Sequence, residues 1–158
     1  MQTVQVPMVE LIKVVQLQLE TAGRANLTVT GYSMLPMLRP YRDAVVLAPV
    51  TGELKPGEIA LFQREDESYV LHRVISVSAE GYQFCGDNQA QLEFVTRSQL
   101  TAVVTGYIRN GKTYTGRNPA ERFYCWCQVH LFGIRKYYIA LRRRLGRLRR
   151  RLLFRRKT

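Results

Sequence analysis

The first pattern along the chain is a run of apolar residues at helical spacing. The apolar positions recur at intervals of three and four residues: Met8, Leu11, Ile12, Val15 and Leu19. Pro7 suits the first turn of a helix, and Gly23 suits its end. We therefore expect an amphipathic helix over residues 7–22, with its apolar side packed on the rest of the domain.

After Asn26 the apolar spacing changes from helical to alternating. Short β-prone runs are separated by turn residues every ~8–12 positions, as in all-β domains. The predicted strands lie in NLTVTG, DAVVLAPV, LKPGEIALFQRE, SYVLHRVISVS, GYQFCGDN and LTAVVTGYIRNGKTYTG. The last run contains Asn110-Gly111, a strong hairpin signal. The pattern predicts a mainly β protein with a closed or coiled antiparallel sheet.

The stretch GRNPAER, residues 116–122, indicates a boundary. It divides the chain into a predicted domain, 1–120, and a C-terminal extension, 121–158. The extension begins with the aromatic stretch FYCWCQVHLFGIRKYYIA and continues as an Arg-rich arm. Helical spacing in the arm connects Tyr138, Leu141, Leu145, Leu148 and Leu152. We expect a basic amphipathic helix there.

The formal charge of +12 is unevenly distributed. Residues 1–134 hold twelve basic and twelve acidic residues, whereas residues 135–158 hold twelve basic residues and no acid. A basic amphipathic helix with aromatic neighbours suits an anionic membrane surface. Charge alone also suits nucleic acid, and a solubilising tail is a third interpretation. We expect the arm, 135–158, to contact membrane and to contribute little to the catalytic core, with nucleic acid the less favoured partner.

The cysteines and the apolar segments indicate the cellular compartment of the protein. An odd number of cysteines, Cys85, Cys125 and Cys127, argues against a disulfide framework, and CWC is too closely spaced for a common zinc pair. Free thiols fit a reducing compartment. The chain has no apolar run of ~18 residues, and its N-terminal stretch lacks the features of a secretory signal. We expect a cytoplasmic protein. If it binds a membrane, we expect it to lie on the inner face as a peripheral protein. We expect no cofactor or metal.

Four residues are candidates for chemistry. Ser33 lies in GYSMLPML, His72 in VLHRVIS, and Asp87 and Glu93 in CGDNQAQLE. A serine nucleophile needs a base, and imidazole is the usual one because its pKa of ~6.5 lies near working pH. A carboxylate can orient the imidazole and stabilise its cation. Each residue alone also has an ordinary structural interpretation, as a turn serine, a strand histidine or a Gly-Asp-Asn turn.

Together, four stretches resemble the boxes of the type I signal peptidase family. GYSMLP matches its Gly-x-Ser-Met-x-Pro box, PGEIALF its Gly-Asp/Glu-Ile/Val box, VLHRVI its Lys-Arg or His-Arg box, and CGDN its Gly-Asp-Asn box. They occur in the family's order, and the resemblance covers about residues 27–108. It implies the coiled antiparallel sheet that this family shares with the LexA repressor family.

The resemblance implies that Ser33 is the nucleophile and His72 the general base, then acid. Most bacterial relatives have a lysine before the arginine, whereas this chain has His72, as in the endoplasmic-reticulum and archaeal branch. The nearest lysines, Lys55 and Lys112, lie outside the box. The N–H of Ser33 is the expected oxyanion donor, and Gly31 would let the backbone approach a substrate closely.

The resemblance leaves two candidates for the acid. Asp87 matches the Gly-Asp-Asn aspartate, and Glu93 stands where the family has a second aspartate. Asp87 is the favoured partner of His72 on motif position, and Glu93 is the alternative.

The resemblance implies a serine endopeptidase that cleaves a precursor or leader peptide after small residues, with the substrate bound as an added strand. Two alternatives differ in class. One is a LexA-like regulator that cleaves itself, although only about twenty residues precede the sheet, too few for a DNA-binding helix-turn-helix domain. The other is an inactive relative that only binds peptide or membrane. The sequence leaves the oligomeric state open.

Overall fold

The computed structural model describes residues 8–115, 118–135, 137–139 and 141. The first element is the predicted helix, α1 (Met8–Ala22). Its Ile12, Val15 and Leu19 are buried against the sheet, which confirms the predicted apolar face.

Eight strands form one antiparallel sheet, which confirms the mainly β prediction. They are β1 (Ala25–Thr28), β2 (Asp43–Ala48), β3 (Ile59–Gln63), β4 (Tyr69–Val77), β5 (Tyr82–Cys85), β6 (Glu93–Val95), β7 (Leu100–Arg109) and β8 (Lys112–Tyr114). The strand order is β1-β2-β7-β3-β4-β5-β6, with β8 paired to β7. The β7–β8 hairpin turns at Asn110 and Gly111, both at positive φ, as its sequence predicts. Strand β6 lies outside the predicted runs.

The core lies on both faces of the central strand β3. Ile59 and Leu61 pack with α1, β1, β2 and β7 on one face, whereas Ala60 and Phe62 pack with β4, β5 and β6 on the other. Burial on both faces explains why β3 is apolar without alternation. Register shifts in β2, β3 and β4 interrupt the ladders, and such irregularities bend a sheet.

Among the strand edges that stay unpaired within the described residues are those of β1 and of the first half of β4. β1 pairs only with β2, and β4 pairs with β5 only from Arg73 onwards, so residues 69–72 have a free edge on that side. These two edges border the candidate site.

The predicted division at residue 120 falls inside a second helix, α2 (Pro119–His130). The side chain of Asn118 caps its first turn by accepting a hydrogen bond from the N–H of Glu121, at 2.8 Å. A 3-10 turn at Arg97–Gln99 precedes β7. The Arg-rich part of the arm, 142–158, lies outside the described residues. No helix among the described ones combines the length and hydrophobicity needed to cross a membrane.

Candidate active site

Ser33 lies in the connection between β1 and β2. Met34 and Leu38, which follow it, are both buried and anchor this loop in the core. Ser33 is partly exposed, and neither its hydroxyl nor its main-chain N–H has a hydrogen-bond partner among the described residues. Both groups are therefore available to a ligand.

The Gly-Asp-Asn turn after β5 holds the serine loop in place. The N–H of Asn88 donates to the carbonyl oxygen of Ser33 at 2.7 Å. A Cβ on Gly86 would stand 2.8 Å from that same oxygen and 3.0 Å from Nε2 of His72. Glycine is thus needed at position 86 because the serine loop and the histidine ring both approach its backbone.

His72 is buried on β4, with its two ring nitrogens in different surroundings. Its Nδ1 lies 3.1 Å from Oε1 of Glu93, in a bent contact. Its Nε2 has no partner among the described residues and lies beside Gly86, the same glycine that the carbonyl oxygen of Ser33 approaches. Burial lowers the pKa of His72 from 6.5 to about 4, a shift that Glu93 only partly offsets. The imidazole is therefore neutral at neutral pH, and the carboxylate beside Nδ1 favours the tautomer with Nε2 as the acceptor.

Glu93 is held by Arg64 at the end of β3. The guanidinium donates from Nε to Oε2 at 2.6 Å and from Nη2 to Oε1 at 2.7 Å. Burial opposes ionisation of the carboxyl, yet the hydrogen bonds and the charge of Arg64 outweigh it and lower the pKa of Glu93. Glu93 is therefore a fixed carboxylate at neutral pH.

Asp87, the favoured acid on motif position, makes other contacts. It accepts two hydrogen bonds from Arg73, at 2.8 and 2.7 Å, in a pair whose side chains are almost wholly buried. The hydroxyl of Tyr124 on α2 donates to the same carboxylate at 3.1 Å. This geometry favours Glu93 over Asp87 as the group that orients His72, and it gives Asp87 the role of holding Arg73.

The pleat of the sheet explains this division. Paired residues on neighbouring strands share a face, as do residues two apart on one strand. Val74 pairs with Phe84, and Phe84 pairs with Glu93, so His72 and Glu93 lie on one face. Arg73 pairs with Cys85, which lies two residues before Asp87, on the other face.

A pocket of about 260 Å³ adjoins this site. Ser33 and His72 line it together with residues 27–31, at the end of β1 and just beyond it, and with residues 69–72 on the free edge of β4. Exposed strand edges offer main-chain hydrogen bonds to an extended peptide. The pocket walls between them are largely apolar, from Leu27, Val29, Met34, Val45, Leu61 and Leu71.

Two residues of the site were not singled out from the sequence. Arg64 follows β3 and is itself followed by three acidic residues, and Tyr124 lies in the aromatic extension. Nothing local distinguishes either from an ordinary surface residue. Gly31 also lines the pocket, where a Cβ would make only an ordinary 3.9 Å contact with the hydroxyl of Ser33.

Comparison with known proteins adds no family to this geometry. No protein-family model matches the chain, and no curated protein matches it significantly.

Proposed function

We propose that this protein is a serine endopeptidase that cleaves a precursor or leader peptide, with a fold and site resembling those of type I signal peptidases and LexA-type peptidases. The observation that carries the proposal is the position of His72. Its Nε2 is unbonded among the described residues, His72 lines one pocket with Ser33, and its Nδ1 lies 3.1 Å from a carboxylate oxygen.

The proposed reaction uses three side chains and one main-chain group. His72 accepts the proton of Ser33 as the serine oxygen attacks the scissile carbonyl carbon. The negative charge on the carbonyl oxygen is met by the N–H of Ser33, and Glu93 stabilises the imidazolium. The imidazolium then protonates the leaving amine, and water attacks the acyl-serine with His72 again as base.

The substrate in this proposal is an extended peptide lying between β1 and β4. The outer edge of β1 and residues 69–72 of β4 supply the unpaired edges, and the pocket accepts apolar side chains before the cleaved bond. The three cysteines are free, as in proteins of reducing compartments, so we include a cytoplasmic location in the proposal.

The test uses full-length protein and a library of peptides carrying small residues before candidate cleavage sites, with products read by mass spectrometry. Ser33→Ala and His72→Gln should each remove nearly all hydrolysis, and the double variant should be scarcely worse. Ser98→Ala is the matched control, because Ser98 is exposed on the 3-10 turn and should be dispensable.

A folded Ser33→Ala protein that keeps its activity would refute the enzyme proposal. Cleavage confined to the protein's own chain, at a rate independent of concentration, would replace it with the self-cleaving regulator. Binding of peptides without hydrolysis by the unaltered protein would favour the inactive relative.

A further inference from the structure

The helical segment after residue 118 has two chemically distinct faces. Beyond α2, residues 132–135, 137–139 and 141 are also helical. Main-chain hydrogen bonds from Leu131 to Cys127 and from Arg135 to Leu131 connect the two parts. The inner face is buried against the sheet domain through Gln128, Arg135 and Ile139.

Hydrogen bonds connect the inner face to Asp87, in the turn beside the candidate active site. Arg135 donates to Gln128, Gln128 donates to the hydroxyl of Tyr124, and Tyr124 donates to Asp87. Asp87 belongs to the turn that holds the loop of Ser33. This chain of hydrogen bonds fixes which side of the helical segment faces outward.

The outer face is apolar and exposed. Its large side chains recur at helical spacing and keep about half or more of their surface in solvent: Phe123 68%, Trp126 49%, Ile134 65%, Tyr138 63% and Leu141 56%. Single exposed apolar residues are ordinary, but an aligned series of them marks an interaction surface. We call these five residues the outer face.

The charge of the adjoining sequence selects the partner. Residues 135–158 contain twelve basic residues and no acid. Glu121 is the one acid between residues 116 and 158, and it accepts a hydrogen bond from Tyr107. An apolar face with Trp and Tyr beside a dense cationic segment complements the acyl boundary and the headgroups of an anionic bilayer.

We propose that the outer face, which includes Trp126, is a docking surface for anionic lipid membrane. This differs from binding by the basic arm alone, because the contact includes a face of the folded domain. Docking would hold the candidate active site in one orientation at the membrane.

The ring geometry disfavours nucleic acid as the partner. Trp126 is nearly parallel to Phe123 one turn before it and to His130 one turn after it, with centroids at 6.3 and 4.7 Å. Bases bind to open ring faces, whereas these ring faces are turned toward one another. The exposed aliphatic side chains of Ile134 and Leu141 add contacts that suit lipid better than bases.

Trp126 is the chain's single tryptophan and therefore reports directly on the outer face. Full-length protein is titrated with vesicles of equal parts phosphatidylcholine and phosphatidylserine, and with phosphatidylcholine alone. The anionic vesicles should shift the emission of Trp126 to the blue and protect it from acrylamide, and added salt should weaken their binding.

Ile134→Glu with Leu141→Glu should weaken vesicle binding by roughly tenfold or more while keeping every basic residue. Val14→Glu with Leu17→Glu is the charge-matched control, because both residues are exposed on α1 and outside the outer face, and this variant should bind normally. None of these readouts requires hydrolysis, so the proposal stands or fails separately from the peptidase activity.

Three results would overturn the proposal. The protein could sediment with anionic vesicles while Trp126 emission stays unchanged, which would assign binding to the arm alone. An RNA oligonucleotide could change the emission while vesicles do not. Ile134→Glu could convert a dimer to a monomer without any effect of vesicles, which would make the outer face a contact between copies of this chain.

Discussion

His72 and Arg73 are neighbours in sequence but face different carboxylates. His72 contacts Glu93, whose charge is shared with the partly exposed Arg64. Arg73 is paired with Asp87 where both side chains are buried. Changing the two acids should therefore affect different properties of the protein.

Glu93→Gln should lower turnover on the order of a hundredfold while leaving the fold intact, because His72 loses the carboxylate that orients its base tautomer. Asp87→Asn should instead lower the free energy of unfolding by about 3–5 kcal/mol, because it leaves a buried arginine without its partner. Urea unfolding and kcat measured on both variants would separate these effects. Full turnover in a folded Glu93→Gln protein would reduce the site to a Ser-His pair.

The pH dependence of hydrolysis should reflect the burial of His72. Burial lowers the pKa of its imidazole from 6.5 to about 4. Only the neutral ring can accept the serine proton, so activity should be lost as the pH falls, with a midpoint below 6.5. In Glu93→Gln the midpoint should move lower still, because a charge that favours the imidazolium is gone.

The profile of kcat/KM against pH measures this midpoint in the free enzyme. A midpoint in the alkaline range, lost on changing Lys55 or Lys112, would indicate a lysine base instead. Neither lysine lines the pocket.

At the scale of elements, the turn after β5 positions the loop between β1 and β2. The turn bonds to the carbonyl of Ser33 through Asn88 and meets the ring of His72 at Gly86. A larger residue than glycine at position 86 would therefore collide with both candidate catalytic residues.

Gly86→Ala should reduce kcat/KM by roughly a hundredfold, because a Cβ only 2.8 Å from the Ser33 carbonyl would displace the serine loop relative to His72. Gly52→Ala is the matched control, since nothing lies within 4 Å of a Cβ at that position. Peptide hydrolysis and circular dichroism of both variants provide the test. Normal kinetics in Gly86→Ala would mean that the turn does not position the serine.

At the scale of the whole molecule, the helix after residue 118 belongs to the packed domain. Arg135 and Ile139 are buried, although both fall within the arm that the sequence assigns a minor role in the core. Helix α2 is bonded to the sheet domain through Tyr124, which donates to Asp87, and through Cys125, which donates to the carbonyl oxygen of Gly57.

Removing residues 135–158 should lower Tm by about 5 °C or more, because the truncation exposes the surface that Arg135 and Ile139 cover. Removing only 142–158 keeps every buried residue described and should leave Tm nearly unchanged. Scanning calorimetry on the two truncated proteins makes the comparison. Equal Tm values for the longer truncation and the full chain would show that the helix adds nothing to the fold.

Local patterns in the sequence determined most of the elements of this protein. Spacing of three and four residues predicted α1, alternation and turn residues predicted seven of the eight strands, and Asn110-Gly111 predicted the hairpin. These signals work because side-chain periodicity and turn geometry depend on residues a few positions apart. The same local reasoning, with the motif order, selected Ser33 and His72 as candidates.

Only the tertiary structure decided how the acids are distributed. Strand β6 has three residues and no local signal, yet its register with β5 puts Glu93 on the face of His72. The pleat puts Arg73 and Asp87 on the opposite face, where Tyr124 reaches them from α2. Register and helix docking depend on burial and pairing between residues distant in the chain. The sequence around Asp87 or Glu93 therefore does not predict which of the two contacts His72.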